Sequence, residues 1–264
     1  MRVRILIQIT VLVVVLVVFC IFSGCATFSP KSNPESLSSV TAGWTAARLL
    51  RHTCETGKGA QQVEGTVWLK TQSKDVHGQF NASVKVSATD ELSLEVTNFL
   101  GGTVALIHVR NEHYEITKGP AEPVSASGSD SWGGIPLRWA SDLFLGKIPC
   151  PTLSDPWVLS HLIPMKEEAN QLTVEVPKDR LGAQRFKFKY RKSDKGLPWP
   201  ESLRWERFSE PKAVVEFRFD KPEQGTFSPL QWESNSSEGG VKVRWRDRHR
   251  VPPAAKSDVT SAAN

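Results

Sequence analysis

The side chains able to carry out chemistry are thinly spread along this sequence. Six histidines lie at positions 52, 77, 108, 113, 161 and 249, and no HExxH pair occurs among them. CxxC and GxSxG are missing as well, so the spacings that build a zinc site, a redox dithiol or an activated serine are not found. His108 and His113 fall near an expected turn, where a surface or core histidine is the ordinary reading. The stretch SGSDSWGG (127–134) is rich in glycine and serine but lacks the spacing of a phosphate loop. Carboxylates are scattered over the exteriors of expected strands, where solvation accounts for them. The pattern points away from an enzyme, a metal or a cofactor and toward a protein that works by binding.

Cysteine marks the strongest chemical position. Arg2 and Arg4 precede an apolar run from Ile5 to Phe22, broken only by Gln8 and Thr10, and the run ends in FSGC at Cys25. A basic start, an apolar stretch and small residues before the cut form a signal peptide. I-F-S-G-C is similar to a bacterial lipoprotein signal, in which the cysteine is acylated and becomes the first mature residue. The competing reading is a plain transmembrane anchor, for which eighteen residues is the lower limit. The lipoprotein reading makes 1–24 a signal peptide and 25–43 a lipidated tether. The tether is rich in Ser, Pro, Ala and Thr and would span roughly 20–25 Å as a coil. It places the domain outside the cytoplasm, attached to membrane by lipid. Cys54 and Cys150 then remain, either as one disulfide or as two separately buried thiols. A disulfide closing so long a loop would stabilise by about 4–5 kcal/mol in the chain-entropy model.

The elements that must position any site are mostly strands. WTAARLLRHTC repeats Ala46, Leu49, Leu50 and Cys54 at helical spacing. Period-two alternation follows through 63–70, 79–86 and 91–96, and returns at 172–176, 186–191, 214–219 and 241–246. Such alternation means a sheet with one apolar and one wet face. So many strands in about 200 residues predict one mainly β domain over 44–250, a curved antiparallel sheet or barrel. A second helix is expected in IPLRWASDLFLGK (135–147), with Pro136 in its first turn and Gly146 as its stop. Its apolar stripe, Leu137, Ala140 and Phe144 widened by Trp139 and Leu143, must cover something, and the apolar sheet face is the obvious partner. SASGSDSWGG before it reads as a polar loop, and 251–264 as a disordered tail.

Three features sit outside this scheme. The hairpin turn TNFLGGT (97–103) carries Phe99 and Leu100 side by side at its tip, where they either meet a membrane or fold back into the core. Nine tryptophans either line a cavity or fill the core. The run RWRDRHR (244–250) either meets anionic lipid head groups or forms a solvated outer face. Net charge does not favour nucleic acid: the 33 Lys+Arg less Arg2 and Arg4 leave 31 against 28 Asp+Glu.

Taken together, these pieces resemble the LolB family of outer-membrane lipoprotein receptors. The resemblance rests on LSLEVTNFLGGTVALIHV and GIPLRWASDLFLGKIP, with Thr97, Asn98, Leu100 and Gly101 in the turn and Pro136, Leu137, Leu145, Gly146 and Pro149 around the helix. It covers 44 to about 222, in a LolA/LolB-like fold. Phe99 stands where that family usually has proline, and the chain after 222 is longer, with FSPLQWES and VKVRWRDRHR as further strands. The resemblance implies an unclosed antiparallel β-barrel with a helical lid over an apolar cavity. Val67, Leu69, Val84, Leu94 and Val96 would line the cavity from one side, and Phe186, Phe188 and Phe217 from the other, beneath Trp139 and Phe144. It also implies a monomer that accepts acylated lipoproteins from a periplasmic carrier of the LolA type. That monomer would insert them into the outer membrane without a catalytic step or cofactor, using Leu100 as the membrane-touching residue. Ala26 after the acylated cysteine, rather than aspartate, agrees with an outer-membrane location facing the periplasm. The alternative is a structural lipoprotein that uses the same half-barrel to bind a protein in an envelope complex.

Overall fold

The computed structural model describes residues 40–251 apart from 74–76, 89–90, 99, 119–122, 133–134, 153–157, 159–161, 164–169, 180–181 and 211. Cys25, the signal and tether up to 39, Phe99 and the tail from 252 lie outside the described residues.

The first helix, α1 (Ala46–Cys54), begins at Thr45, whose hydroxyl accepts the Arg48 amide and satisfies one of the open N–H groups of the first turn. Leu49 and Leu50 are fully buried, and the Thr53 hydroxyl meets the Tyr190 hydroxyl at 2.9 Å. Strands follow at β1 (Gln62–Ser73), β2 (His77–Ser87), β3 (Glu91–Thr97), β4 (Thr103–Arg110), β5 (His113–Thr117) and β6 (Val124–Ser129). A small ribbon, β7 (Ser131–Trp132) with β8 (Ile135–Pro136), leads into α2 (Leu137–Leu145). Then come β9 (Leu162–Ile163), β10 (Gln171–Asp179), β11 (Gly182–Lys192), β12 (Pro198–Arg207), β13 (Ala213–Pro222), β14 (Pro229–Ser236) and β15 (Gly239–Val251).

Thirteen strands form one antiparallel sheet in the order β6-β5-β4-β3-β2-β1-β15-β14-β13-β12-β11-β10-β9. Its two edges, β6 and β9, do not pair, so the sheet is an unclosed half-barrel, the fold the sequence predicts. The C-terminal hairpin β14–β15 does not extend an edge. It lies between β1 and β13 and joins the N-terminal and C-terminal halves into one sheet.

Three expectations are corrected. Residues 125–129 of the stretch read as loop belong to edge strand β6, which among the described residues pairs with β5 alone and buries little, so it needs no alternation. Pro136 is the N-cap of α2 rather than part of its first turn, because β8 holds 135–136 extended. The alternation of β15 breaks at a bulge: Val67 pairs with Trp245 but Thr66 with Asp247, leaving Arg246 as the extra residue. Beyond the bulge, Arg248 and Arg250 stand opposite Gly65 and Val63, on the inner side. The arginine run is therefore not one outer face but is split between the two. Among the described residues no helix is long and apolar enough to cross a membrane.

Candidate functional site

The inner face of the sheet is one continuous apolar layer. From β1 to β3 it carries Val67, Leu69, Val84, Leu94 and Val96, and from β11 and β13 it carries Phe186, Phe188 and Phe217. Together with Trp139 and Phe144 of α2, all ten proposed lining residues are buried, the most exposed being Val96 and Trp139 at 6%. They share one core cluster, so the fold brings together residues up to 150 positions apart in sequence, Val67 and Phe217 being the extremes.

Helix α2 lies across β1–β4. Pro136 supplies an extended N-cap, and Gly146 (φ +82°) ends the helix in the left-handed region, its amide and that of Lys147 bonding back to Leu143 and Asp142. Phe144 makes T-shaped contacts with Trp232 and Trp245, at centroid distances of 5.4 and 6.3 Å, and Trp139 meets Phe186 at 6.2 Å. These T-shaped contacts fill the space between helix and sheet with the protein's own rings. The layer has an unusual polar component. The indole N–H groups of Trp139, Trp232 and Trp245 are buried and have no acceptor among the described residues. A buried donor left without a partner costs roughly 1–3 kcal/mol. The sequence could place these tryptophans in the core but could not show that their N–H groups lack partners.

The hairpin turn between β3 and β4 is built differently. Asn98 Oδ1 accepts the amides of Leu100 at 2.9 Å and Gly102 at 3.0 Å, while the Asn98 amide donates to the Gly102 carbonyl at 2.9 Å. Gly101 adopts φ +86°. The turn thus owes its order to asparagine at a position where the neighbouring residue is not proline. Leu100 is 81% exposed and does not fold back into the core.

Cys54 and Cys150 are bonded, with their Cα atoms 5.7 Å apart. The bond ties the end of α1 to the segment just after α2. The described residues hold no group of three His, Cys, Asp or Glu side chains able to bind a metal. His108 and His113 sit on the outer face, in a cleft of about 750 Å³ shared with Lys85, Arg110 and Glu115.

No family model matches the sequence, and no curated protein matches it. Among solved structures the chain is similar to a LolA-superfamily protein from Nitrosomonas europaea, at 11% identity and a TM-score of 0.47, covering 78% of this chain and 94% of that one. It is also similar to a DUF1329-family protein from Desulfovibrio piger, at 9% identity and a TM-score of 0.45, covering 82% and 95%. A third similar structure is the Mycobacterium tuberculosis lipoprotein LppX, at 12% identity and a TM-score of 0.33, covering 81% and 98%. At these values no ligand or activity passes from those proteins to this chain.

Proposed function

We propose that this chain is a lipid-anchored acyl-binding protein of the outer membrane that takes acylated lipoproteins from a soluble periplasmic carrier and releases them into the bilayer. The observation that carries the reading is the aromatic layer between α2 and the sheet. It is apolar enough to hold acyl chain, which gains about 0.8 kcal/mol per buried CH₂. Its three unpartnered indole N–H groups suit the ester or amide carbonyls of an acylated cysteine. Entry requires α2 to move and Phe144 and Trp139 to give up their ring contacts, so bound chain replaces apolar contacts already present. That exchange keeps net affinity modest, as release to a bilayer demands. No covalent step is required. Acylation at Cys25 and outer-membrane location belong to this proposal, and they rest on the N-terminal sequence.

Leu100 is the proposed membrane-touching residue. Purified protein, an acylated lipoprotein on its carrier and liposomes provide the test. Leu100→Glu should leave stability within about 0.5 kcal/mol of wild type, because the side chain is exposed. It should slow delivery to liposomes while leaving uptake from the carrier intact. Delivery at the wild-type rate would remove Leu100 from the mechanism.

The filling of the layer by Phe144 and Trp139 favours a second reading, an assembly lipoprotein whose half-barrel binds another protein. A fluorescent fatty-acid probe separates the two. Saturable binding supports acyl transfer, and no binding supports the assembly role.

A further inference from the structure

We propose that the outer face around Trp68, Arg244 and Arg246 is a docking surface for the anionic head groups of a phospholipid bilayer. The surface is assembled by register. Thr97 of β3 pairs with Asn81 of β2, Asn81 with Trp68 of β1, Trp68 with Arg244 of β15, and Arg244 with Gln231 of β14. Directly paired residues share a face, so Trp68 and Arg244 lie side by side on the polar face. The β15 bulge adds Arg246 beside them. The three line a cleft of about 660 Å³ with Gln231 and Lys242.

The lining of this cleft includes three cations, Lys242, Arg244 and Arg246, and no carboxylate. Several other cations on this face are matched, Lys189 with Glu201, Arg191 with Asp220 and Arg204 with Glu216. Neither carboxylate beside the cleft is ion-paired with Arg244 or Arg246. Asp247 accepts the Thr66 amide and, at 2.6 Å, the Thr66 hydroxyl, and Glu233 pairs with Lys242. Arg244 and Arg246 therefore have no partner among the described residues, and both are exposed. A half-buried indole beside free guanidinium groups suits the head-group level of a membrane, where tryptophan collects and arginine meets anionic lipid. The occupant is a bilayer rather than a soluble anion because the same row leads to the exposed turn. Thr97, the last residue before that turn, is three strands from Arg244, roughly 14 Å. On this proposal Leu100 and the arginines meet the same bilayer. The inference takes from the proposed function that the N-terminal sequence holds the chain at a membrane.

The proposal does not depend on acyl transfer, and its test involves no cargo. Full-length chain is held by its own N-terminus on vesicles of phosphatidylcholine, or of phosphatidylcholine and phosphatidylglycerol in equal amounts. Hydroxyl-radical footprinting reads oxidation of the peptide containing Trp68. Oxidation should fall about threefold or more on the anionic vesicles relative to the neutral ones. High salt should restore it, as the Debye length shrinks to about 3 Å. Arg244→Gln with Arg246→Gln should abolish the protection, since each neutralised arginine weakens head-group attraction about fivefold. An unchanged thermal midpoint shows that this variant folds. Equal oxidation on both vesicle types, protection retained in the variant, or the same protection from inorganic phosphate without vesicles would each overturn the proposal.

Discussion

Glu223 is the residue whose role the sequence conceals most completely. Its carboxylate accepts from the Thr226 hydroxyl at 2.6 Å, from Arg248 at 2.8 Å and from Arg250 at 3.0 Å. Arg248, with its side chain 1% exposed, also donates to the Pro229 carbonyl at 3.1 Å. Burial alone would push the Glu223 carboxyl up, but the Thr226 hydroxyl and the two guanidinium groups outweigh it and hold the carboxyl below its ordinary value. Burial pushes Arg248 down, and Glu223 works against that. Glu223→Gln leaves a buried guanidinium without its counter-charge and should cost about 3–5 kcal/mol. The pH dependence has a definite sign. A carboxyl with a depressed folded pKa contributes stability that is complete above the unfolded value of about 4.3 and is lost as pH falls through the lower folded value. Thermal midpoints recorded from about pH 6 down to about pH 3 should therefore fall more steeply for wild type than for Glu223→Gln. Parallel curves would show that this carboxylate does not govern acid lability.

At the scale of elements, glycines in the left-handed region separate conformational strain from crowding. Gly101 (φ +86°) has nothing within 4 Å of where a Cβ would stand, whereas at Gly146 (φ +82°) that atom would lie 2.6 Å from Arg248 Nη1 and 2.8 Å from Ser228 Cβ. Gly101→Ala should cost about 1–2 kcal/mol, the left-handed penalty alone. Gly146→Ala should cost at least 1 kcal/mol or so beyond that, because it also displaces a buried arginine. Urea denaturation of both variants measures the difference, and equal losses would mean that the end of α2 yields freely. The stop at Gly146 was legible in sequence, as were α1 and the strands with clean alternation, such as β2, β3 and β11. Alternation is a local signal, and it failed where local rules were broken. Pro198 and Pro200 mask β12; they lie before Ser202–Arg207, the stretch that pairs with β13, so the missing amides are tolerated. The bulge at Arg246 reverses the face of everything after it, and only the pairing of β15 with β1 reveals that. The buried aromatic layer could be expected residue by residue, but its ring contacts and unpartnered indoles depend on how α2 lies on the sheet.

Across the whole molecule, the decisive pairings join the ends of the domain. β1 and β15 run side by side from Gln62–Val251 to Ser73–Gly239, so the sheet cannot become continuous until the last strand is in place. The disulfide adds a second long-range tie, between positions 96 residues apart. Breaking it with Cys54→Ser and Cys150→Ser should lower unfolding free energy by about 4–5 kcal/mol in the chain-entropy model. The same bond bears on how α2 can move. Its C-terminal end is held by Cys150 four residues beyond Gly146 and by the Arg248 cluster packed against Gly146. Its N-terminal end has no side-chain cap and is held by the two-residue ribbon of β7 and β8 and by the Leu137 amide bonding to Asp130. Opening for an acyl chain should therefore begin at the N-terminal end, with the disulfide end as the fixed point. The double serine variant is then expected to lose stability while binding a fluorescent fatty acid as tightly as wild type. Titrations of both proteins under conditions where each stays folded decide the matter. A marked gain in affinity for the variant would place the restraint on α2 at the disulfide and reverse the direction of opening.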